Sequence, residues 1–566
     1  MKLFRKKYTS KVELDEVLLD SSNIPAFNQA RLEGKRELPI TARSIYMVGI
    51  FSFIFATAFL GKIFTLQVTN GAELKAIAEN NSVSKAVIIA ERGVVYDRTG
   101  ELVVWNEVDE RGVHDFPIRA YTDRSGLGQV LGYVSYPKKD NRGFYFRTEY
   151  IGRNGVEAAY DDDLRGTNGS KIVVVNALNK IEGEHAISSS VDGKEINLSI
   201  DAALSEAMYE IISTSSAKAG FRSGAAAIMD VKTGEILAMT SFPSYDPEVM
   251  ADGFDVEKID SYNNYDRLPF LNKMISGAYT PGSIVKPFVA YAALAEKIID
   301  PMKTIISTGE IVIPNPYNPS NPSRFTDWRA HGIMTMREAI AFSSNVYFYI
   351  IGGGFGDQKG LGITKMAEYY KLFGLGSPTG INIAQEQIGV VPDPAWKQEV
   401  FDDDWRLGDT YFTAIGQFGF LATPVQMLRA YAALANGGTL VEPHVIKGKQ
   451  GNTTNLNLNQ DYLEIIHEGM RKTVTLNGGT ARALERKDVA IAAKSGTAEV
   501  GAGNAYVNSW AAGFFPYEEP KYAFILMMDK APRSNALGAT RIMGDVVEWM
   551  SKNTPEYLGI EVKQGE

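Results

Sequence analysis

One run of 22 residues, Ile45 to Leu66, sets the first limit on what this chain can fold into. It is rich in Ile and Phe and carries a single charge, Lys62, near its end. As a helix rising 1.5 Å per residue it spans roughly 33 Å, enough for the hydrocarbon core of a bilayer. Arg5, Lys6, Lys7, Arg31, Lys35, Arg36 and Arg43 precede it, and few positive charges come closely after it. The positive-inside bias then puts the N-terminus on the cytoplasmic side and the remaining ~500 residues outside. A cleaved leader fits poorly, because the polar segment 1–43 comes before a run of this length. No second such run occurs, so the rest of the chain must bury its own core in water.

The other regions are bounded by composition. Residues 1–43 hold nine Lys/Arg and six Asp/Glu, with a brief apolar face at Val12, Leu14 and Val17 to Leu19, and read as a mostly disordered tail. The 566 residues imply two to four domains. A net charge of −9 argues against a nucleic-acid partner. There is no cysteine, and the five histidines include no pair at H-x-x-x-H spacing, so neither a metal nor a thiol nucleophile is expected. Gly352-Gly353-Gly354 lacks the strand-before, helix-after context of a phosphate loop.

Candidate chemistry sits in three short stretches. In Pro281-Gly282-Ser283-Ile284-Val285-Lys286-Pro287, Gly and Pro break the chain and an apolar helix runs on to Ala295. Ser283 and Lys286 are three apart and share a helix face. A serine hydroxyl needs a base within reach, and a lysine serves only if its pKa is lowered. Ser343-Ser344-Asn345 comes after a helical segment, with Thr335 and Glu338 set as a capping box. Lys494-Ser495-Gly496-Thr497 comes after the apolar run from Val489 to Ala493.

Ser-x-x-Lys, then Ser-x-Asn, then Lys-Ser/Thr-Gly, in this order and spacing, resembles the serine penicillin-recognising enzymes. Further upstream, Arg92-Gly93-Val94-Val95-Tyr96-Asp97-Arg98-Thr99-Gly100 and the series Gly152 to Glu157, Tyr160 and Leu164 to Gly166 look like the N-terminal pedestal of class B penicillin-binding proteins. By chemistry alone Arg92, Asp97, Arg98 and Glu157 are salt-bridge or hinge residues among turns.

The pattern along the chain predicts an α+β fold, with a membrane anchor, a mixed region, and then a single antiparallel sheet with packed helices and an inserted helical subdomain. The resemblance implies that the mixed region is a pedestal domain and the sheet-bearing part a penicillin-binding transpeptidase domain. The expected divisions are a cytoplasmic tail over 1–43, a transmembrane helix over 44–66, a pedestal or dimerisation-like domain over 67–215, a transpeptidase domain over 216–553 and a tail over 554–566. Asp201 caps a helix from Ala202 to Ile212, and Ser213 to Gly220 reads as a linker. Residues 224–230 and 235–239 read as a hairpin, 311–327 as a long loop, and 386–410 as a surface excursion. The strands 508–515 and 522–528 and a helix over 541–550 close the domain.

The resemblance implies peptidoglycan synthesis at the bacterial cytoplasmic membrane by a single-pass protein. Ser283 would be acylated by a peptide ending in D-Ala-D-Ala. Lys286 would be the base, with its pKa depressed by Lys494 as the second cation, and Ser343 and Asn345 would assist. The backbone N–H groups of Ser283 and Thr497 would hold the oxyanion, with Gly496 allowing close approach, and Ser495, Thr497 and Lys494 would receive a carboxylate. The partners implied are stem peptides, β-lactams, a membrane-embedded glycosyltransferase of the shape and elongation family, and other elongation-complex proteins. Some elongation-type members hold a structural zinc near Asp327, Trp328 and His331 with a cysteine among its ligands; this chain has no cysteine, so no metal or cofactor is expected. Members usually carry Gly-Gln-Gly where this chain has Gly416-Gln417-Phe418. The Pro281–Lys286 run and Gly132-Tyr133-Val134 look closer to the elongation type. A division-type enzyme, and a D,D-carboxypeptidase or β-lactamase-like hydrolase that passes the acyl group to water, stay open as alternatives.

Overall fold

The computed structural model describes residues 41–75, 83–141, 145–175, 181–315, 318 and 320–560. The expected N-terminal tail lies outside these up to residue 40, and the expected C-terminal tail from residue 561. Helix α1 (Ala42–Phe64) starts on Thr41, whose hydroxyl accepts the Ser44 N–H, and continues through a π turn at Thr65–Thr69. No side chain of α1 is buried, and the continuous helix is long and apolar enough to cross a membrane. The chain divides into two compact units; α1 belongs to the first, and the elements below belong to the second.

The pedestal is built on four short strands: β1 (Val95–Tyr96), β2 (Leu102–Glu107), β3 (Ile118–Tyr121) and β4 (Ile196–Asn197), in the order β4-β1-β2-β3 with β4 parallel to β1. Beside them lies a charge cluster in which Arg92, Arg119 and Glu157 are fully enclosed. Arg92 Nε reaches one Glu157 oxygen at 2.5 Å and Arg119 Nε the other at 2.7 Å, while Arg92 also meets Asp161 at 2.7 Å. Arg119 spends its other donors on Asn106 and the Gly93 carbonyl. Gly93 must be glycine, because a Cβ would stand 1.9 Å from the Lys194 carbonyl oxygen. Asp97 accepts from Thr99 and Glu101 within its turn and from the Ala202 N–H beyond it, and Arg98 pairs with Glu235 at 2.5 Å. Asp97 and Arg98 thereby tie the pedestal sheet to the elements that follow, while Arg92, Arg119 and Glu157 bind the pedestal internally.

Helix α2 (Ala202–Ala219) corrects the linker reading. Asp201 caps it as expected, but it runs on to Gly220, which closes it in the left-handed region. Ser215 and Ser216 fall on the buried face with Met208 and Ile212 at helical spacing, and are small enough to lie against the sheet. A composition-based boundary at 215/216 therefore cuts through a helix.

Strands β5 (Ser223–Asp230) and β6 (Ile236–Phe242) form the expected hairpin. The interior between this hairpin and the later strands includes α3 (Lys286–Ala295), strands β7 (Glu310–Ile313) and β8 (Ser323–Thr326), α4 (Met336–Phe342), α5 (Asn345–Gly353), α6 (Pro394–Phe401), α7 (Leu407–Ala414), α8 (Pro424–Ala435) and α9 (Gln460–Thr475). The chain then returns as β9 (Ala492–Val500), β10 (Tyr506–Phe515) and β11 (Tyr522–Pro532), and closes with α10 (Ala539–Asn553). The sheet order is β6-β5-β11-β10-β9, with antiparallel neighbours. Its inner strands β5, β11 and β10 are largely apolar because both faces are covered, whereas the edge strand β9 carries Lys494, Ser495, Thr497 and Glu499. Ala225, Ala227, Met229, Ile525 and Met527 enter the core shared with the helical interior, whereas Ala226, Ile228, Leu526 and Met528 enter the core under α2 and α10.

Three further expectations change. Residues 311–327 are not one loop: β7 and β8 pair as a hairpin that buries Ile311 opposite Phe325. The excursion at 386–410 contains α6, with Asp393 as cap and Pro394 as first residue, and buried Lys397 pairs with Asp403 and Asp409. The tail expected from 554 begins later, since Leu558 is buried and the Tyr557 hydroxyl donates to Asp201.

Candidate active site

The turn before α3 is shaped by its neighbours. Gly282 has φ +59° and donates its N–H to the Gly416 carbonyl at 3.0 Å. Residues Gly282–Val285 make a 3₁₀ turn, and α3 starts at Lys286 with Pro287 in its first turn. Residues i and i+3 eclipse one another in a 3₁₀ turn, so Ser283 and Lys286 lie on one face. Ser283 lines an open cleft of about 770 Å³ while Lys286 is wholly buried beneath it. Among the described residues no hydrogen bond fixes the Ser283 hydroxyl.

The second wall is the turn between α4 and α5. The capping box of Thr335 and Glu338 starts α4, and Ser343 ends it in the left-handed region at φ +56°. That conformation turns the Ser343 carbonyl toward Lys286. Lys286 Nζ donates to Ser343 O at 2.7 Å and Asn345 Oδ1 at 2.8 Å, and touches Ser343 Oγ at 3.3 Å. A neutral amine has two N–H groups and one lone pair, and this set of two acceptors plus a hydroxyl suits it.

The third wall is β9, the free edge of the sheet. Ser495, Thr497 and Glu499 alternate onto the cleft, and Lys494 points inward and is buried. Lys494 Nζ has one acceptor, the Ser495 carbonyl at 2.9 Å, and the Ser495 hydroxyl meets Thr480 Oγ1 at 2.6 Å. A Cβ at Gly496 would stand 2.8 Å from Ile284 Cγ2 and 3.0 Å from the Pro281 carbonyl oxygen, so its missing side chain admits the Ser283 turn, and Gly496 itself borders the cleft.

Burial pushes Lys286 down to about 7, against a raising influence from Asp327. Lys494 is pushed well below the ordinary lysine range by burial first and then by the charge of Lys286. The sequence expectation is the reverse, with Lys494 depressing Lys286. The difference comes from the surroundings: Lys286 has three polar contacts and a carboxylate within electrostatic reach, and Lys494 has one carbonyl.

Phe418 also faces this cleft, and Asp327 borders it with its side chain turned in and buried. In sequence Asp327 reads as a loop residue, and nothing in its spacing marks it. Phe418 takes φ +59°, in a region glycine favours, with Gly416 and Gly419 beside it. Trp396 and Trp405 meet its ring edge-on at 6.1 and 5.5 Å. The departure from Gly-Gln-Gly thus places an aromatic side chain on the cleft wall. The pedestal residues Arg92, Gly93, Asp97, Arg98 and Glu157 are not brought to this site.

Residues 224–548, more than half of the chain, match the penicillin-binding protein transpeptidase domain, and residues 112–198 match the penicillin-binding protein dimerisation domain. The peptidoglycan D,D-transpeptidase MrdA of Haemophilus influenzae is 32% identical over 451 residues, which cover 73% of this chain and 66% of that relative, just under two thirds of its length. The crystal structure of Pseudomonas aeruginosa PBP2 in complex with WCK 5153 aligns with a TM-score of 0.68 at 26% identity, over 85% of this chain and 100% of that one. A chain from a peptidoglycan synthase complex, described as coordinating polymerization and crosslinking, aligns with a TM-score of 0.69 at 27% identity, over 93% of this chain and 100% of that one. With three motifs converging on one cleft behind a dimerisation domain, the chain belongs to the penicillin-binding protein transpeptidase family.

Proposed function

We propose that this chain is a peptidoglycan D,D-transpeptidase of the elongation type, working by acyl transfer through Ser283. The observation that carries the reading is the placing of Ser283 over a buried lysine whose Nζ is held by Ser343 and Asn345, opposite the edge strand bearing Thr497. The donor is a stem peptide ending in D-Ala-D-Ala. Ser283 Oγ attacks the penultimate carbonyl and gives its proton to neutral Lys286, and the backbone N–H groups of Ser283 and Thr497 receive the oxyanion. The proton passes through the Ser343 hydroxyl to the departing amine, D-Ala leaves, and an ester remains on Ser283. The amine of a second stem peptide then attacks that ester, which closes the cross-link and frees the serine. A substrate carboxylate bound by the Ser495 and Thr497 hydroxyls supplies the counter-charge that Lys494 lacks, so Lys494 regains its proton when the cleft fills. β-Lactams enter by the same steps and stop at the ester.

The apolar helix with its basic N-terminal flank supports a single-pass anchor with the N-terminus in the cytoplasm and the catalytic domain outside. The alignment with a chain from a synthase complex described as coordinating polymerization and crosslinking supports a glycosyltransferase partner in the membrane. Covalent labelling by a fluorescent penicillin tests the nucleophile: Ser283→Ala should abolish it with the fold intact, and persistent labelling would mean another nucleophile. Supplying a D-Ala-D-Ala peptide with an amine acceptor separates cross-linking from hydrolysis by whether amide or free acid accumulates.

A further inference from the structure

Asp327 belongs to none of the three motifs, yet it is wired to one of them. Its side chain is fully buried where β8 ends. Oδ2 accepts from Ser344 Oγ at 2.7 Å, the Val346 N–H at 3.0 Å and Ser307 Oγ at 3.4 Å. Oδ1 accepts the Trp328 N–H at 2.9 Å and faces His331 Nε2 at 3.6 Å. Arg329 Nε donates to His331 Nδ1 at 3.2 Å, so the ring proton sits on Nε2, toward the carboxylate. Ser344 and Val346 flank Asn345, and Ser344 is next in the chain after Ser343. The carboxylate therefore grips the turn on both sides of Asn345 and at the residue that joins Asn345 to Ser343, the two residues that hold Lys286.

A structural metal does not fit here. The chain has no cysteine, and among the described residues no group of three or more His, Asp or Glu converges. Asp327 already receives N–H and O–H donors at both oxygens.

We propose that Asp327 is a positioning residue that, without a metal, clamps the Ser343–Asn345 turn against Lys286 and sets the pH at which that lysine becomes a base. This rests on the acyl-transfer reading above. The clamp acts in two ways. Through hydrogen bonds it fixes where Ser343 O and Asn345 Oδ1 meet Nζ. Through its charge it favours the protonated lysine against burial, which pushes the other way; the neighbouring amine, Lys494, is itself held low by burial and by the charge of Lys286. His331 also faces this group, but burial holds it toward the neutral form, so the negative charge of Asp327 is not cancelled there.

The test is the second-order acylation rate of the full-length protein in detergent by a chromogenic β-lactam, measured against pH. Asp327→Asn keeps the shape and removes the charge. Its maximal rate should fall ~10- to 100-fold, and the midpoint at which the rate rises should move about one unit toward acid. A midpoint that stays put in a folded variant overturns the proposal, because a purely structural residue would lower the rate without moving it. If Asp327→Asn does not fold, Ser344→Ala decides. That variant keeps the carboxylate but strips one donor from it, so more of the charge is felt at Lys286 and the midpoint should rise; an unchanged or lower midpoint overturns the proposal. Acylation by the unmodified protein should survive EDTA, and loss restored by zinc would reject the metal-free clamp. If the unmodified protein is not acylated at all, the acyl-transfer reading fails first, and the two failures are thereby told apart.

Discussion

The buried cations of the pedestal and those of the cleft are treated in opposite ways. In the pedestal, Arg92 and Arg119 share the two oxygens of Glu157, with Asp161 completing the set. Burial opposes the charge on Arg92, but Glu157 and Asp161 more than offset it. In the cleft, Lys286 and Lys494 are as deeply buried, and among the described residues their ammonium nitrogens hydrogen-bond to neutral acceptors alone, with Asp327 acting on Lys286 through its charge and not by contact. A buried charge with bidentate partners stays charged and fixes structure. A buried amine without a carboxylate in contact loses its proton and becomes a reagent. Accessibility alone does not separate these groups; partners do.

The comparison breaks most sharply at the lysine under the nucleophile. Lys286→Arg keeps a cation that cannot give up its proton, so acylation should fall by about 10³-fold or more. Near-normal acylation would mean that Lys286 is not the base. In the unmodified protein the rate should rise with pH through about 7, where Lys286 becomes neutral.

The pedestal counterpart is Glu157→Gln. It leaves two enclosed guanidinium groups without their shared carboxylate, and should lower unfolding free energy by about 3–5 kcal/mol. Urea unfolding measures this, while penicillin labelling per folded molecule should stay constant. Lost labelling at unchanged stability would put this cluster in the wrong class.

Lys494→Met sharpens the contrast because its two effects differ in sign. Removing a buried amine with one acceptor should raise stability by ~1–2 kcal/mol while acylation falls. The sign with pH comes from the lowered folded pKa. Between that value and the ordinary lysine range, the unfolded chain binds a proton that the native chain does not, so stability rises with pH across this window. Thermal melting at several pH values should show a smaller rise in Lys494→Met than in the unmodified protein. An equal rise would assign the slope to other groups.

How legible these sites are in sequence depends on whether their geometry is local. Ser283 with Lys286, and Ser343 with Asn345, are fixed by two or three residues of helix or turn, so their spacing declares them. The sheet is legible because β5, β10 and β11 each hold a long apolar stretch, 224–229, 510–515 and 522–528. Asp327 and Arg119 are not, since each is a lone charge whose partners lie far away in sequence, such as Ser344 and Glu157. The end of α2 is hidden because Ser213 to Ser216 look like linker residues until the buried face is known. Gly496 does mark a close approach, as its place in the motif suggests, but the group that approaches is the Ser283 turn, and no one-dimensional pattern carries that.

Phe418 tests a third way of holding a costly group, by packing rather than by pairing. Its left-handed backbone costs about 1–2 kcal/mol relative to glycine. Against that stand two edge-on tryptophans, each worth roughly 0.5–1.5 kcal/mol, and the Lys397 ammonium 5.6 Å from its ring centroid. These contributions nearly cancel, so Phe418→Gly should change stability by about 1 kcal/mol or less in either direction. The consequence for the cleft is also small but directional. The ring forms part of the wall, and Gly416 in the same loop receives the Gly282 N–H, so the backbone near Ser283 stays anchored without the ring. Acylation should therefore fall less than ~10-fold, and more for β-lactams with a bulky apolar side chain than for those with a small one, as expected when a few apolar contacts are lost. Stopped-flow rates for one compound of each kind measure the difference. An equal fall for both would mean that the ring serves the loop and not the ligand, and a stability loss above ~3 kcal/mol would mean that the tryptophan contacts outweigh the backbone strain by more than pairwise packing accounts for.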